Sequence, residues 1–240
     1  MKIKSVCNPQ SGSAFLYIII AIALLAALSV AVSRGNRGST STMSDQQAKL
    51  AAQEIIDYGN TVAAAVQKLR LRGCTDTQIS FENSAIAGHV NPNAPADESC
   101  HILSPSGGNI GIHEFDQSYF ARLGDDPGFD AWPYLDGANT FPSVGEDFKS
   151  DLSVIFVGLK PDICENINKI LGIPDPIPTD TNGMNAGGPG FNGDFKGTYA
   201  DPASLSVGDA GTSSTALVGK TSACVHETTG CLGSCYNYYN

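Results

Sequence analysis

The chain has 240 residues, of which 42% are hydrophobic, and this is enough for one domain with a core of its own. From Asp45 onward it carries 10 basic and 24 acidic side chains, a net charge of −14. Nucleic acid and anionic lipid headgroups both require a basic surface, so the sequence excludes them as docking partners of this part.

The first predicted element is a helix that spans a membrane. Residues 14–32 form an apolar run without charge, glycine or proline. A helix of this length spans about 28 Å, close to the hydrocarbon thickness of a bilayer. We therefore expect a transmembrane helix at residues 13–33, in contact with membrane lipid, and then a flexible linker at residues 34–43 with two glycines.

The second predicted helix covers residues 44–72 and is amphipathic. Ser44 and Gln47 have the spacing of a capping box, and apolar residues recur at helical spacing as far as Leu69. Gly73 is expected to end the helix. The apolar face of so long a helix needs a partner, and the simplest partner is a small antiparallel sheet built from the remaining chain.

Short strand candidates separated by turn residues follow this helix. They are residues 78–81, 101–103, 109–112, 131–135 and 152–157. The last is the most apolar, which predicts a central strand.

The C-terminal third combines a short helix with a long loop. Pro161 predicts a helix start, and Gly172 predicts its end. Residues 174–213 are rich in Gly, Pro, Asn and Asp, which predicts a surface loop with one strand near residues 195–199. The aromatic tail from Tyr236 predicts a strand that pairs with the sheet. The expected fold class is therefore α+β, with a disulfide-stapled, loop-rich C-terminal region.

Six of the seven cysteines follow the apolar run, and an even number there predicts disulfides in an oxidising compartment. The sequence favours the pairs Cys74–Cys100, Cys164–Cys224 and Cys231–Cys235, although spacing alone does not fix the connectivity. Zinc is the alternative for the last pair, which has metal-like spacing. No second matching pair exists to complete such a site.

The order of these parts resembles the type IV pilin-like proteins, a group that includes pilins, minor pilins and secretion pseudopilins. The basic leader ends in Gln10-Ser11-Gly12, directly before the apolar run, the amphipathic helix and the cysteine-containing α+β domain. Residues 73–83 and 162–173 also resemble uncharacterised pilin-like proteins of alphaproteobacteria. The resemblance implies a leader peptide at residues 1–12, cleaved after Gly12 by a prepilin peptidase, and a methylated new N-terminus at Ser13.

The resemblance further implies a structural subunit of a type IV pilus-like filament or a secretion pseudopilus. Its partners would be other pilin-like subunits, packed through the apolar helix. It would lie in the bacterial inner membrane as a single-pass protein with a periplasmic domain at residues 44–240, and in an extracellular filament after assembly. The family usually has an aromatic first and a glutamate fifth mature residue. Ser13 and Tyr17 stand there, which favours a minor subunit.

The sequence carries no recognisable catalytic motif, so we expect no enzyme and no catalytic residues. No Gly-x-Ser-x-Gly elbow or phosphate-binding loop is present. None of the four histidines has a partner at metal-ligand spacing; they are His89, His101, His113 and His226. The alternatives to a filament subunit are a membrane-anchored adhesin or binding module that does not polymerise and, less favoured, an anchored hydrolase.

Calcium is the one cofactor to which the sequence points. Asp180 and Asn182 place oxygen ligands at alternate positions of a glycine-containing turn, and Asp194 follows in the same loop. Some pseudopilins, which this chain resembles, bind calcium in a C-terminal loop. No glutamate completes an EF-hand, so a polar turn is the alternative.

Overall fold

The structure is a computed structural model, and it describes residues 18, 44–82, 90–121, 134–139, 144, 151–180, 215–228 and 235–240. The chain divides into two units, Met1–Ser44 and Asp45–Asn240. The second unit contains all the elements below. Among its described residues, two α-helices accompany a five-stranded sheet.

Helix α1 covers Asp45–Leu71, within the range predicted for the amphipathic helix. Asp45 lies in its first turn and Lys68 and Arg70 in its last, which suits the helix dipole. The N–H of Gly73 donates to the carbonyl of Arg70 at 3.0 Å, and the positive φ of Gly73 ends the helix. One face is buried along its whole length: Ala48, Ala51, Ala52, Ile55, Ile56, Gly59, Val62, Ala65, Val66 and Leu69.

The sheet has the strand order β1-β2-β5-β4-β3. The strands are β1 Tyr134–Asn139, β2 Asp151–Leu159, β3 Thr179–Asp180, β4 Ala223–Glu227 and β5 Cys235–Tyr239. Strand β5 is central and antiparallel to both neighbours, β2 and β4. Strand β3 pairs with β4 in parallel. The predicted antiparallel sheet is therefore wrong, because the long connection from β3 to β4 lets the chain cross over and return in the same direction.

Two strand predictions agree with the structure, one for the most apolar segment and one for the aromatic tail. Strand β2 contains the predicted residues 152–157, and β5 contains most of the aromatic tail. The three candidates between residues 78 and 112 do not form extended strands, since they share only one isolated bridge, from Ser80 to His101. Tight turns at Gly107 and Gly108 interrupt this region. The candidate at residues 195–199 lies outside the described residues.

The predicted transmembrane helix is also corrected. In the part of the chain that the structure describes, which includes only Ile18 of residues 13–33, no helix is long and apolar enough to cross a membrane. The longest helix there is α1, and charged side chains follow its solvent face. We therefore do not retain the single-pass anchor, or the inner-membrane location that rested on it.

Helix α2 covers Pro161–Leu171, with proline in its first turn and Gly172 in a left-handed conformation at its end. It packs against α1 and β4. The side chain of Asn168 lies buried at this contact: its amide donates to the carbonyl of Cys224 at 2.8 Å and its oxygen accepts from the N–H of Cys224 at 2.9 Å. This pair of hydrogen bonds fixes α2 on the sheet.

Aromatic side chains link α1 to the sheet. Phe115 makes edge-to-face contacts with Tyr58 of α1 and Phe156 of β2, with ring centroids 5.5 Å and 5.1 Å away. Tyr238 of β5 lies 5.8 Å from Phe156. Edge-to-face contacts add about 0.5–1.5 kcal/mol each to the burial of the rings.

Two of the favoured disulfides are present. Cys74 is joined to Cys100 and Cys164 to Cys224, with Cα atoms 5.9 Å and 5.4 Å apart. Cys235 is disulfide-bonded as well, so it does not offer a thiolate to zinc. Its favoured partner, Cys231, lies outside the described residues.

Candidate functional site

The predicted calcium turn is described only at its first residue. Asp180 ends β3 and is fully buried, while Asn182 and Asp194 lie outside the described residues. Among the described residues, no group of three or more His, Cys, Asp and Glu side chains could hold a metal ion. Calcium therefore stays a prediction. The predicted cleavage site at Gly12 and Ser13 also lies outside the described residues.

A second carboxyl group, which the sequence did not single out, lies beside Asp180. Glu227 is opposite Asp180 in the parallel β3–β4 register, and both are fully buried. The amide of Asn237 donates to Glu227 Oε2, and its oxygen accepts from the N–H of Gly158 at 3.0 Å. Glu227 Oε1 has no hydrogen-bond partner in the described part of the chain. These polar groups form a row across the sheet.

Burial and the nearby Asp180 carboxylate raise the pKa of Glu227 to about 7, and the hydrogen bond from Asn237 opposes this shift only in part. Glu227 is therefore about half protonated at neutral pH. Both carboxyl groups are buried, so the pair affects the stability of the fold. The sequence signal for Glu227 was an acid at the end of the segment 223–227.

Another polar cluster ties the chain after residue 112 to α1. Glu54 of α1 accepts hydrogen bonds from the Tyr119 hydroxyl at 2.6 Å and from His113 Nε2 at 2.7 Å. The Tyr119 pKa rises to about 12, chiefly because its hydroxyl donates to Glu54. The rings nearest to His113 are Tyr58 and Phe115, at 5.8 Å and 4.5 Å. The cluster thus holds a loop on a helix.

The remaining candidate is an open cleft of about 410 Å³, which we call the acidic cleft. All residues of its walls follow α1 in the chain, and Glu82 and Glu98 lie within the loop that the Cys74–Cys100 disulfide closes. The side chains that line it are Glu82, Glu98, His101, Leu103, Ser104, Pro105 and Ile112.

Backbone hydrogen bonds fix the turn that forms this cleft. The N–H of Gly108 donates to the carbonyl of His101 at 2.9 Å, and that of Gly107 donates to Ser104 at 3.0 Å. A Cβ atom on Gly107 would collide with the carbonyl oxygen of His101, and one on Gly108 with that of Ile102. Glycine is therefore required at both positions of the turn.

The C-terminal end of α1 braces the same turn from outside. Arg72 Nη1 donates to the carbonyl oxygen of Gly107 at 2.9 Å, and Lys68 Nζ donates to that of Gly108 at 3.4 Å. Both cations are thus engaged by backbone oxygens. Among the described residues that line the cleft, none is lysine or arginine.

Ser104 orients one carboxyl group of the cleft. Its hydroxyl donates to Glu98 Oε2 at 2.7 Å and accepts from the N–H of Ser106 at 3.2 Å. Both functions of the hydroxyl are therefore used within the turn, which argues against Ser104 as a nucleophile. Glu98 is exposed, so its second oxygen can meet a ligand.

His101 is the residue that the sequence interpretation missed. Its side chain was expected to be isolated, but the structure places it beside Glu98 and Ser104 in the cleft. The available signal was the regular spacing of residues 98, 101 and 104 around a disulfide-bonded Cys100. Glu82 is distant in sequence, and the Ser80–His101 bridge brings it near.

Comparison with protein-family models, curated proteins and solved structures finds no match to this chain.

Proposed function

We propose that the chain is a non-enzymatic, minor structural subunit of a type IV pilus-like filament or secretion pseudopilus. The observation that carries the proposal is α1, a 27-residue helix whose apolar face packs on α2 and, through aromatic side chains, on the sheet. A long amphipathic helix against a cysteine-containing α+β domain is the arrangement that the resemblance implies for the globular part of such a subunit.

The packing of α1 supports a role as a rigid spine. Its buried face continues from Ala48 to Leu69 without a polar interruption. Each fully buried Val, Leu or Ile side chain of this face contributes about 1.5–3 kcal/mol, so the helix is firmly held. Its first residue, Asp45, follows the predicted leader, the apolar run and the predicted linker in the chain. The polar cluster at Glu54 ties the chain after residue 112 to α1, which supports a structural role over catalysis.

The mature N-terminus tests this proposal. In cells that contain a prepilin peptidase, we expect mass spectrometry of the purified chain to find Ser13 as the first residue. The substitution Gly12→Asp should block this cleavage, so that residues 1–12 remain attached. A wild-type chain that retains residues 1–12 in such cells would contradict the proposal.

Assembly is tested separately by crosslinking. Leu16→Cys and Leu24→Cys place thiols in the apolar run, and we expect covalent multimers when both are present in assembling cells. Thr221→Cys is the matched control, because Thr221 is exposed in the globular unit. Multimers from the control alone would contradict packing through the apolar run.

A binding module that does not polymerise is the second candidate, and the acidic cleft is the observation that favours it. A chain that binds a ligand in the cleft but gives no crosslinks through the apolar run would be assigned to this class.

A further inference from the structure

We infer that the acidic cleft binds an alkylammonium ligand, a primary ammonium group on an aliphatic stem. This inference goes beyond the structural role proposed above and does not depend on it, because it rests only on the residues that line the cleft.

The first argument is charge. The cleft presents the carboxylates of Glu82 and Glu98, and no cation lines it among the described residues. The nearest basic side chains of α1 are engaged by the carbonyl oxygens of Gly107 and Gly108. Two carboxylates without a paired cation repel anions and attract cations.

The second argument is a buried histidine. His101 is 9% exposed and lines the cleft. Its ring nitrogens have no hydrogen bond to a described residue, and its electrostatic partner is the exposed carboxylate of Asp97. A neutral imidazole offers one acceptor nitrogen, and a carboxylate accepts at both oxygens. An ammonium group has three donors and no acceptor, so it matches this set of acceptors.

The third argument is shape, which separates an organic cation from a bare ion. The described side chains contain no group that could hold a metal ion. Leu103, Pro105 and Ile112 form an apolar part of the wall, and Ile112 is 38% exposed. A volume of about 410 Å³ is far more than an ammonium group fills, and it lies in the range of small-molecule sites. The apolar wall suits a methylene stem.

The fourth argument is rigidity. Glu98 is fixed by Ser104, and the turn is held by its glycines, by the end of α1 and by the Cys74–Cys100 disulfide. A site whose groups are already ordered loses little conformational entropy when a ligand binds. Even a small amine can therefore bind measurably.

The test uses the full chain and 1,5-diaminopentane, whose binding is followed by ligand-observed saturation-transfer NMR. We expect a Kd of about 1 mM, as befits a ligand of this size. The matched control ligand is 1,5-pentanediol, which has the same stem without the charge and should show at least about tenfold weaker binding. Equal binding of the diol, or no binding of the diamine, would overturn the inference. A second arm replaces the diamine with Nα-acetyl-lysine methylamide and tells whether a lysine side chain of a protein also fits.

Three substitutions that each remove one carboxylate charge locate the site: two lie in the cleft and one lies outside it. Glu98→Gln keeps an oxygen that can accept from Ser104, and Glu82→Gln changes a side chain that holds no part of the turn. Each should weaken the diamine by about fivefold. Glu114→Gln removes the same charge from an exposed position outside the cleft and should change Kd less than about twofold. Equal weakening by all three variants would mean attraction to the acidic protein as a whole, and would refute the cleft.

Discussion

Replacing Glu227 by glutamine should stabilise the protein above neutral pH and leave it nearly unchanged in mild acid. The reason is the difference between the folded and unfolded chain. The pKa of Glu227 is about 7 in the folded protein, against an ordinary value of 4.5. Between these two values the folded chain keeps a proton that the unfolded chain loses. The stabilisation is therefore complete below about pH 4.5 and is lost as the pH rises through about 7.

The magnitude follows from the size of the shift. A change from 4.5 to about 7 corresponds to about 3 kcal/mol of stability, at about 1.4 kcal/mol for each pKa unit. The side chain is fully buried, so solvent screening reduces this value little. Glutamine has no charge to bury, and its oxygen can still accept from the Asn237 amide. The variant should thus gain up to about 3 kcal/mol over the wild type at about pH 8.

Urea unfolding with the disulfides intact, at steps from about pH 4.5 to 8, measures this difference directly. Glu165→Gln is the control, because Glu165 is half exposed and makes only a surface ion pair with Lys169, at 3.7 Å. Its effect should stay within about 0.5 kcal/mol at every pH. A difference between E227Q and wild type that does not change with pH would refute the reasoning, as would a variant that is less stable at pH 8.

Three further substitutions test the packing. Asn168→Ala leaves the buried N–H and carbonyl of Cys224 without partners and should cost about 2–4 kcal/mol in the free energy of unfolding, so a loss below about 1 kcal/mol would contradict it. Gly107→Ala should lower the thermal midpoint by several degrees, whereas Gly111→Ala, with open space around its Cβ, should leave it unchanged; equal midpoints would show that the turn can relax. Tyr119→Phe removes the hydroxyl that donates to α1 and should cost about 1 kcal/mol in urea unfolding, and no cost would mean that the loop is held by its rings alone.

The helices could be predicted from the sequence because the residues that start, end and orient a helix lie close together in the chain. The apolar spacing before Leu69, the glycine at 73 and the proline at 161 each act within one or two turns of helix. The apolar composition of residues 152–157 likewise predicted β2. The favoured disulfides followed from spacing and the neighbouring elements, and two of them formed.

The candidate sites depend on contacts between distant residues, which local patterns do not encode. Glu227 acquires its high pKa only because a parallel pairing places it opposite Asp180. The acidic cleft likewise needs the bridge from Ser80 to His101, which joins two segments that look like separate strands in the sequence. A histidine without a motif was interpreted as isolated for this reason.

The position of β5 makes the sheet dependent on a strand that follows its other four strands in the chain. Strands β1 and β2 form one half of the sheet and β3 and β4 the other, and β5 alone joins them. The backbone pairing between the two halves therefore requires residues 235–239, whereas the Cys164–Cys224 disulfide and the Asn168 hydrogen bonds connect β4 to α2 without β5. Loss of the β5 pairing would thus divide the hydrogen-bonded sheet into two separate pieces, β1 with β2 and β3 with β4.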